Sequence, residues 1–116
     1  MEPRAVRFDD LPGLELAPGA TARSLFGQNL QLNVVDLEPG AFVGLHSHPH
    51  EQCAYVMRGE LILEVAGVEH RLGPNEAVLI PGGAEHSALG GPDGALVVDV
   101  FSPVREDQRA RVDAGD

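Results

Sequence analysis

Apolar and polar residues alternate with a period of two through much of the chain. Residues 29–37, NLQLNVVDL, set Leu30, Leu32 and Val34 against Gln31, Asn33 and Val35, which is the signature of a strand. Leu61, Leu63 and Val65 repeat it, and Ala66-Gly67-Val68-Glu69 reads as a short glycine-bearing connection into a returning strand over 68–72. Residues 77–80, AVLI, read as a buried apolar strand, and 95–101, ALVVDVF, as the last clear strand. Turn signals fall at Glu38-Pro39-Gly40, Arg58-Gly59-Glu60, Gly73-Pro74-Asn75-Glu76, Pro81-Gly82-Gly83 and 90–94, GGPDG. Short strands at this spacing predict an all-β sandwich or small barrel. Pro3, Pro12 and Pro18 break any helix near the start, where Leu14, Leu16 and Phe26 are available to pack. Residues 102–116, SPVREDQRARVDAGD, look too polar for a core and predict one helical turn followed by a frayed end.

Composition narrows the function classes. The 116 residues suit one domain with one core. Eight Lys plus Arg against 18 Asp plus Glu give a formal charge of -10. That balance argues against a nucleic-acid backbone or an anionic membrane surface as the main partner. It also means that an anionic substrate would need a local positive centre. No apolar run has the length of a membrane-spanning helix, and MEPRAVRFDD does not read as a signal peptide, so the expected location is cytoplasmic. The lone cysteine, Cys53, excludes an intrachain disulfide and reads as a small packed hydrophobe.

The candidate chemistry lies in residues 40–59, GAFVGLHSHPHEQCAYVMRG. His46, His48 and Gln52 share parity, so on one extended segment they point the same way. His86 follows the Pro81-Gly82-Gly83 turn and offers a third imidazole. Three nitrogens and one oxygen suit one divalent transition metal: zinc, nickel, iron or manganese. Glu51 competes with Gln52 for the oxygen position, but parity places it on the opposite face. A neutral glutamine leaves the positive charge of a dication uncancelled, which favours an anionic ligand. His50 shares parity with the pair and is a weaker pocket candidate; His70 reads as exposed and Glu85 as rim. Cys53 and Tyr55 have the opposite parity to Gln52 and read as packing residues. Asp99 sits among apolar neighbours on the face of Val97 and Phe101. A carboxylate there is costly unless paired, so it reads as an acid/base group, the alternative being an outward-facing residue. Arg105 either pairs at the surface with Glu106 or Asp107 or clamps a substrate carboxylate.

These residues carry a family resemblance. Gly40, five residues, His46-x-His48, three residues, Gln52, six residues and Gly59 resemble the first cupin motif. Gly73, seven residues, Pro81-x-Gly83, two residues and His86 resemble the second. Gln52 stands where the first motif usually has glutamate, and Gly90 where the second usually ends in asparagine. The resemblance implies a double-stranded β-helix, a jelly-roll barrel with a metal in its mouth. It divides the single domain, 1–116, into N-terminal strands or arm (1–27), barrel (28–101) and tail (102–116). It also implies a homodimer, the arm being a part that such proteins sometimes lend to a partner. HSHPHEQCAYVMRGEL, the Pro81 to His86 turn and VVDVFSPVRED are similar to the small pectin-degradation cupins. In that group the oxygen ligand is a glutamine, and Asp99, Phe101 and Arg105 match its active-site aspartate, phenylalanine and arginine. The implied reaction opens a cyclic 4,5-unsaturated uronate, a small sugar acid, to the linear 5-keto-4-deoxyuronate. A metal-dependent oxygenase, a non-enzymatic small-molecule-binding cupin and a purely structural metal site remain as alternatives.

Overall fold

A computed structural model describes residues 2–115; Met1 and Asp116, the ends of the expected domain, lie outside the described residues. After a short 3-10 turn at Phe8–Asp10, the chain forms β1 (Leu14–Ala17), β2 (Ala20–Phe26), β3 (Gln31–Leu37), β4 (Phe42–His46), β5 (Glu51–Val65), β6 (Val68–Leu72), β7 (Ala77–Ile80) and β8 (His86–Ser102). A helix, α1 (Glu106–Asp113), follows. The strands pair antiparallel in the order β1-β2-β3-β8-β5-β6, with β4 added to β8 and β7 to β5. This rolled sheet is the expected all-β jelly-roll architecture.

Two expected turns are bends inside strands. Arg58-Gly59-Glu60 and 90–94 interrupt neither β5 nor β8, which pair from Glu51 with Ser102 to Val65 with His86. The register slips between Val56 and Arg58 and again between Gly59 and Leu61. Gly59 and Gly94 take φ near +80° and +76°, a left-handed conformation open to glycine that kinks a strand without ending its ladder. A Cβ on Gly59 would lie 2.1 Å from the Gly94 carbonyl oxygen. Both glycines therefore serve the close crossing of the two long strands.

The inward faces grade from apolar to polar along the barrel. Register aligns Ala22, Val35, Val97 and Val56 in one inward row, and Ala20, Leu37 and Ala95 in the next. These belong to the buried core with Leu61, Leu63 and Leu72. Towards the other end the same strands place Asn33, Asp99 and Ala54 in one row, and Gln31, Phe101, Gln52 and Ile80 in the next. The alternation along β3 holds, but Gln31 and Asn33 turn inward with Val35 and Leu37, while Leu30 is 55% exposed. The strand over 77–80 is not buried throughout: Ile80 faces the core and Leu79 is 63% exposed on the outside.

The tail also departs from expectation. It makes two helical turns, and Val104 and Gln108 are buried. A polar residue is tolerated there because Gln31 and Asn33 supply its hydrogen bonds. Tyr55 lies half-exposed on the outer face instead of packing inside, and its hydroxyl donates to Asn75 Oδ1 at 2.6 Å.

Candidate metal centre

The polar end of the barrel gathers the histidines. His46 ends β4 and pairs across the sheet with His86, the first residue of β8. His48 lies in the turn between β4 and β5, and Gln52 near the start of β5. His46, His48 and Gln52 therefore do not share one extended segment, as strand parity suggested. The chain leaves the sheet over 47–50, where Pro49 has no N–H for a ladder. The turn is held instead against the one before His86: Gly83 N–H donates to the His48 carbonyl at 2.8 Å. Gly82 sits so close that a Cβ would lie 2.3 Å from the Pro49 carbonyl oxygen. The Pro81-Gly82-Gly83 sequence thus fixes His48 relative to His86.

The ligand atoms of His46, His48 and His86 lie within 4.8 Å of one another. Each Nδ1 faces a backbone carbonyl: Gly44 at 2.7 Å, His50 at 3.1 Å and Ala84 at 2.9 Å respectively. A carbonyl only accepts, so each Nδ1 carries the proton and each Nε2 presents a lone pair. Under that tautomer His48 Nε2 and Gln52 Oε1, 3.0 Å apart, are two acceptors face to face. His86 Nε2 is buried without a hydrogen-bond partner. A divalent cation among these atoms satisfies both, and carbonyl-fixed imidazoles are a common feature of such sites. Burial and the Arg105 charge lower the His48 pKa to about 4, and burial lowers that of His86 against the Ala84 hydrogen bond. Both rings are neutral at pH 7 and need lose no proton to bind metal.

A cavity of about 320 Å³ opens beside this cluster, lined by His46, Gln52, His86, Asp99, Phe101 and Arg105. Its inner part meets the apolar core at Val35, Leu61 and Val97. The Asp99 carboxyl points inward, not to the outside. Burial raises its pKa to about 6, opposed by a hydrogen bond from the Gln52 side chain and by the Arg105 charge. Gln52 thus turns its amide nitrogen to Asp99 and its oxygen to the histidines. Arg105 makes the pair with Asp107 that was one of its two alternatives, and it also lines the cavity. Its Nε and Nη2 donate to Asp107 at 3.0 and 2.8 Å, yet its side chain is only 12% exposed and lies over the Phe101 ring at 5.2 Å. The Asp107 pair uses one edge of the guanidinium and leaves the Nη1–Nη2 edge outside that pairing. Phe101 also meets the His48 ring edge-on at 5.7 Å.

Other candidates fall elsewhere. Glu51 is exposed and pairs with Ser102 on the opposite face, and Glu85 is exposed. His50 contributes its carbonyl to His48, while its ring does not line the cavity. Sequence reasoning missed Asn33, Gln108 and Arg111, which do line it. Asn33 left a signal, being a polar residue on the face that continues as Val35 and Leu37. The helix residues left none.

Comparison with known proteins points the same way. A model of the cupin domain matches residues 33–101. The pectin degradation protein KdgF of Dickeya dadantii (strain 3937) is 28% identical over 101 residues, covering 85% of this chain and 92% of that protein. The structure of KdgF from Halomonas sp. superposes with a TM-score of 0.79 at 29% identity, covering 86% of this chain and 93% of that one. An RmlC-like cupin from Shewanella frigidimarina NCIMB 400 gives 0.83 at 28% identity, covering 92% and 96%.

The lowered histidine pKa values set the pH response of the metal-free protein. Below pH 6.5 the unfolded chain binds protons that His48 and His86 refuse when folded, so the histidine contribution to stability falls as pH drops from about 6.5 towards about 4, while Asp99, which binds its proton more tightly when folded, contributes with the opposite sign below about pH 6. Urea denaturation of chelated Asp99→Asn protein across that range isolates the histidine contribution, and adding His48→Gln should flatten the slope. A stability of the Asp99→Asn protein independent of pH over that interval contradicts the assignment.

Proposed function

The chain belongs to the cupin family, and from that premise we propose that it is a metal-dependent enzyme that opens a cyclic 4,5-unsaturated uronate to the linear 5-keto-4-deoxyuronate. The observation that carries the reading is that His46 and His86 of the histidine cluster, Gln52, Asp99 and Arg105 line one cavity. The likeness to a pectin degradation protein, KdgF of Dickeya dadantii, and to the structure of KdgF from Halomonas sp. supports a sugar acid of that kind as the substrate class. In this reading His46, His48, His86 and Gln52 hold one divalent cation, zinc, nickel, iron or manganese. When bound, it supplies Lewis-acid polarisation of substrate oxygens.

The chain's own groups do the rest. Arg105 holds the substrate carboxylate, and Phe101 sets the guanidinium plane by packing beneath it. Asp99 takes the proton of the anomeric hydroxyl, C1 becomes a carbonyl and the bond from C1 to the ring oxygen breaks. The ring oxygen keeps the electron pair as the C5 enolate, and protonated Asp99 returns the proton to C4. Atoms and electrons balance without an oxidant or a second substrate. A pKa of about 6 lets Asp99 both accept and return a proton near neutrality. Its hydrogen bond to Gln52 couples the base to the proposed metal ligand.

The reading also sets the protein in the cytoplasm as a homodimer. Leu79, Cys53, Val100, Leu32 and Leu25 align across five strands on the outer face, beside Ala77, Tyr55, Val98 and Val34. Such an apolar band suits a second copy. Residues 1–27 put β1 at an edge of the sheet, where it can lend a strand. Light scattering behind gel filtration should return twice the chain mass; a monomer at micromolar concentration rejects the dimer.

Asp99→Asn tests the chemistry. The amide retains the shape but cannot take the proton, so kcat on lyase-generated unsaturated galacturonate, followed by ultraviolet absorbance, should fall about 10²- to 10⁴-fold. Metal content should stay unchanged, and the wild type should consume no oxygen. Wild-type turnover by Asp99→Asn removes Asp99 from the reaction.

A further inference from the structure

One polar assembly in the cavity wall has no part in the reaction as drawn. Gln31 and Asn33 are fully buried and Gln108 is 6% exposed. Their orientation follows from one backbone group. The N–H of Arg105 donates to Gln31 Oε1 at 2.8 Å, and because an N–H cannot accept, the Gln31 amide has one possible orientation. Its Nε2 then donates to Asn33 Oδ1 at 2.9 Å and Gln108 Oε1 at 2.8 Å. Asn33 Nδ2 donates to the same Gln108 oxygen at 3.1 Å. Both contacts occupy the Gln108 oxygen, so the other end of its amide is the NH2 group.

That NH2 group has no acceptor among the described residues. Gln108 nevertheless lines the cavity together with Asn33, Asp99 and Arg105. The NH2 group is open to the cavity, where a ligand oxygen can replace water as its acceptor. Arg105 is a further donor on the same wall. The wall is therefore matched to a ligand that brings several acceptor oxygens.

We propose that Gln108 is a specificity-determining residue whose side-chain amide donates to a hydroxyl or carboxylate oxygen of the bound sugar acid. Gln31 and Asn33 act through it as positioning residues, transmitting the orientation set by the Arg105 backbone. The inference rests on the sugar-acid reading of the cavity and extends it to the C-terminal helix. It makes α1 part of the binding site: the helix supplies Asp107 to orient Arg105 and Gln108 to meet the ligand.

Gln108→Glu separates a ligand role from a structural one. A glutamate oxygen still accepts from Gln31 and Asn33, so the internal contacts survive, while the outward donor becomes an acceptor. Gln108→Met serves as the uncharged control should the glutamate variant fold poorly. In both, KM for unsaturated galacturonate, and the Kd for galacturonate by calorimetry, should rise about 10-fold or more. Metal content should be unchanged and kcat should move less than about 3-fold. Active wild type with unchanged KM and Kd in either folded variant overturns the role of Gln108 and leaves the reaction standing. Wild type that binds galacturonate without turning over the unsaturated uronate overturns the proposed reaction instead, and weaker galacturonate binding by the variants then still supports Gln108. Wild type that binds neither sugar acid overturns both.

Discussion

Three hydrogen bonds from imidazole Nδ1 to backbone carbonyls decide what this cavity can do. The carbonyls of Gly44, His50 and Ala84 hold the protons of His46, His48 and His86 on one side of each ring. The opposite nitrogens are left as acceptors facing one another and the Gln52 oxygen. Such a concentration of lone pairs is unfavourable alone and favourable around a cation. The local sequence enforces it. Each carbonyl lies two residues from its histidine, so the rings are oriented by their own turns. The His48 turn is in turn pinned to the His86 turn by the close approach of Gly82 and the Gly83 hydrogen bond.

The rest of the barrel serves the polarity of one end. The inward faces of β3, β5 and β8 change from apolar to polar within two adjacent rows, so the core and the site are continuous parts of one interior. Val35, Val56 and Val97 form the apolar inner end. Gln31, Asn33, Gln52 and Asp99 follow on the same strands and satisfy one another or face the cavity. The Asp99 carboxyl lies deep among these groups at a cost that raises its pKa. The Gln52 hydrogen bond and the Arg105 charge offset part of that cost, and in the proposed reaction the same burial is what suits Asp99 to act as a base. The acidic surface of the chain, with a formal charge of -10, makes the local positive groups the more necessary for an anionic ligand.

Much of this was legible in the sequence. The period-two alternation located the strands, and the paired glycine and histidine spacings brought two distant segments to one site. What failed were inferences that treat a strand as straight and isolated. Parity grouped His46, His48 and Gln52 correctly but for the wrong reason, because the chain leaves the sheet between His46 and Gln52. Glycines at 59 and 94 looked like turns because a bulge and a turn both need positive φ; only the partner strand distinguishes them. The alternation of 29–37 and the polar tail did not suffice to mark Gln31, Asn33 and Gln108 as buried, because each is polar alone. They are buried as a set, and a set drawn from β3 and α1 cannot be seen from either segment. The tail was misjudged for the same reason.

The central claim is the binding of one divalent cation by the three Nε2 atoms and the Gln52 oxygen, with room left for a ligand. X-ray absorption spectroscopy of the metal-loaded protein tests it most directly. For zinc the account predicts three imidazole nitrogens at about 2.0–2.1 Å with oxygen completing the coordination, and a changed spectrum when galacturonate is added. A spectrum without imidazole scattering, or metal bound at an all-oxygen surface site, contradicts it.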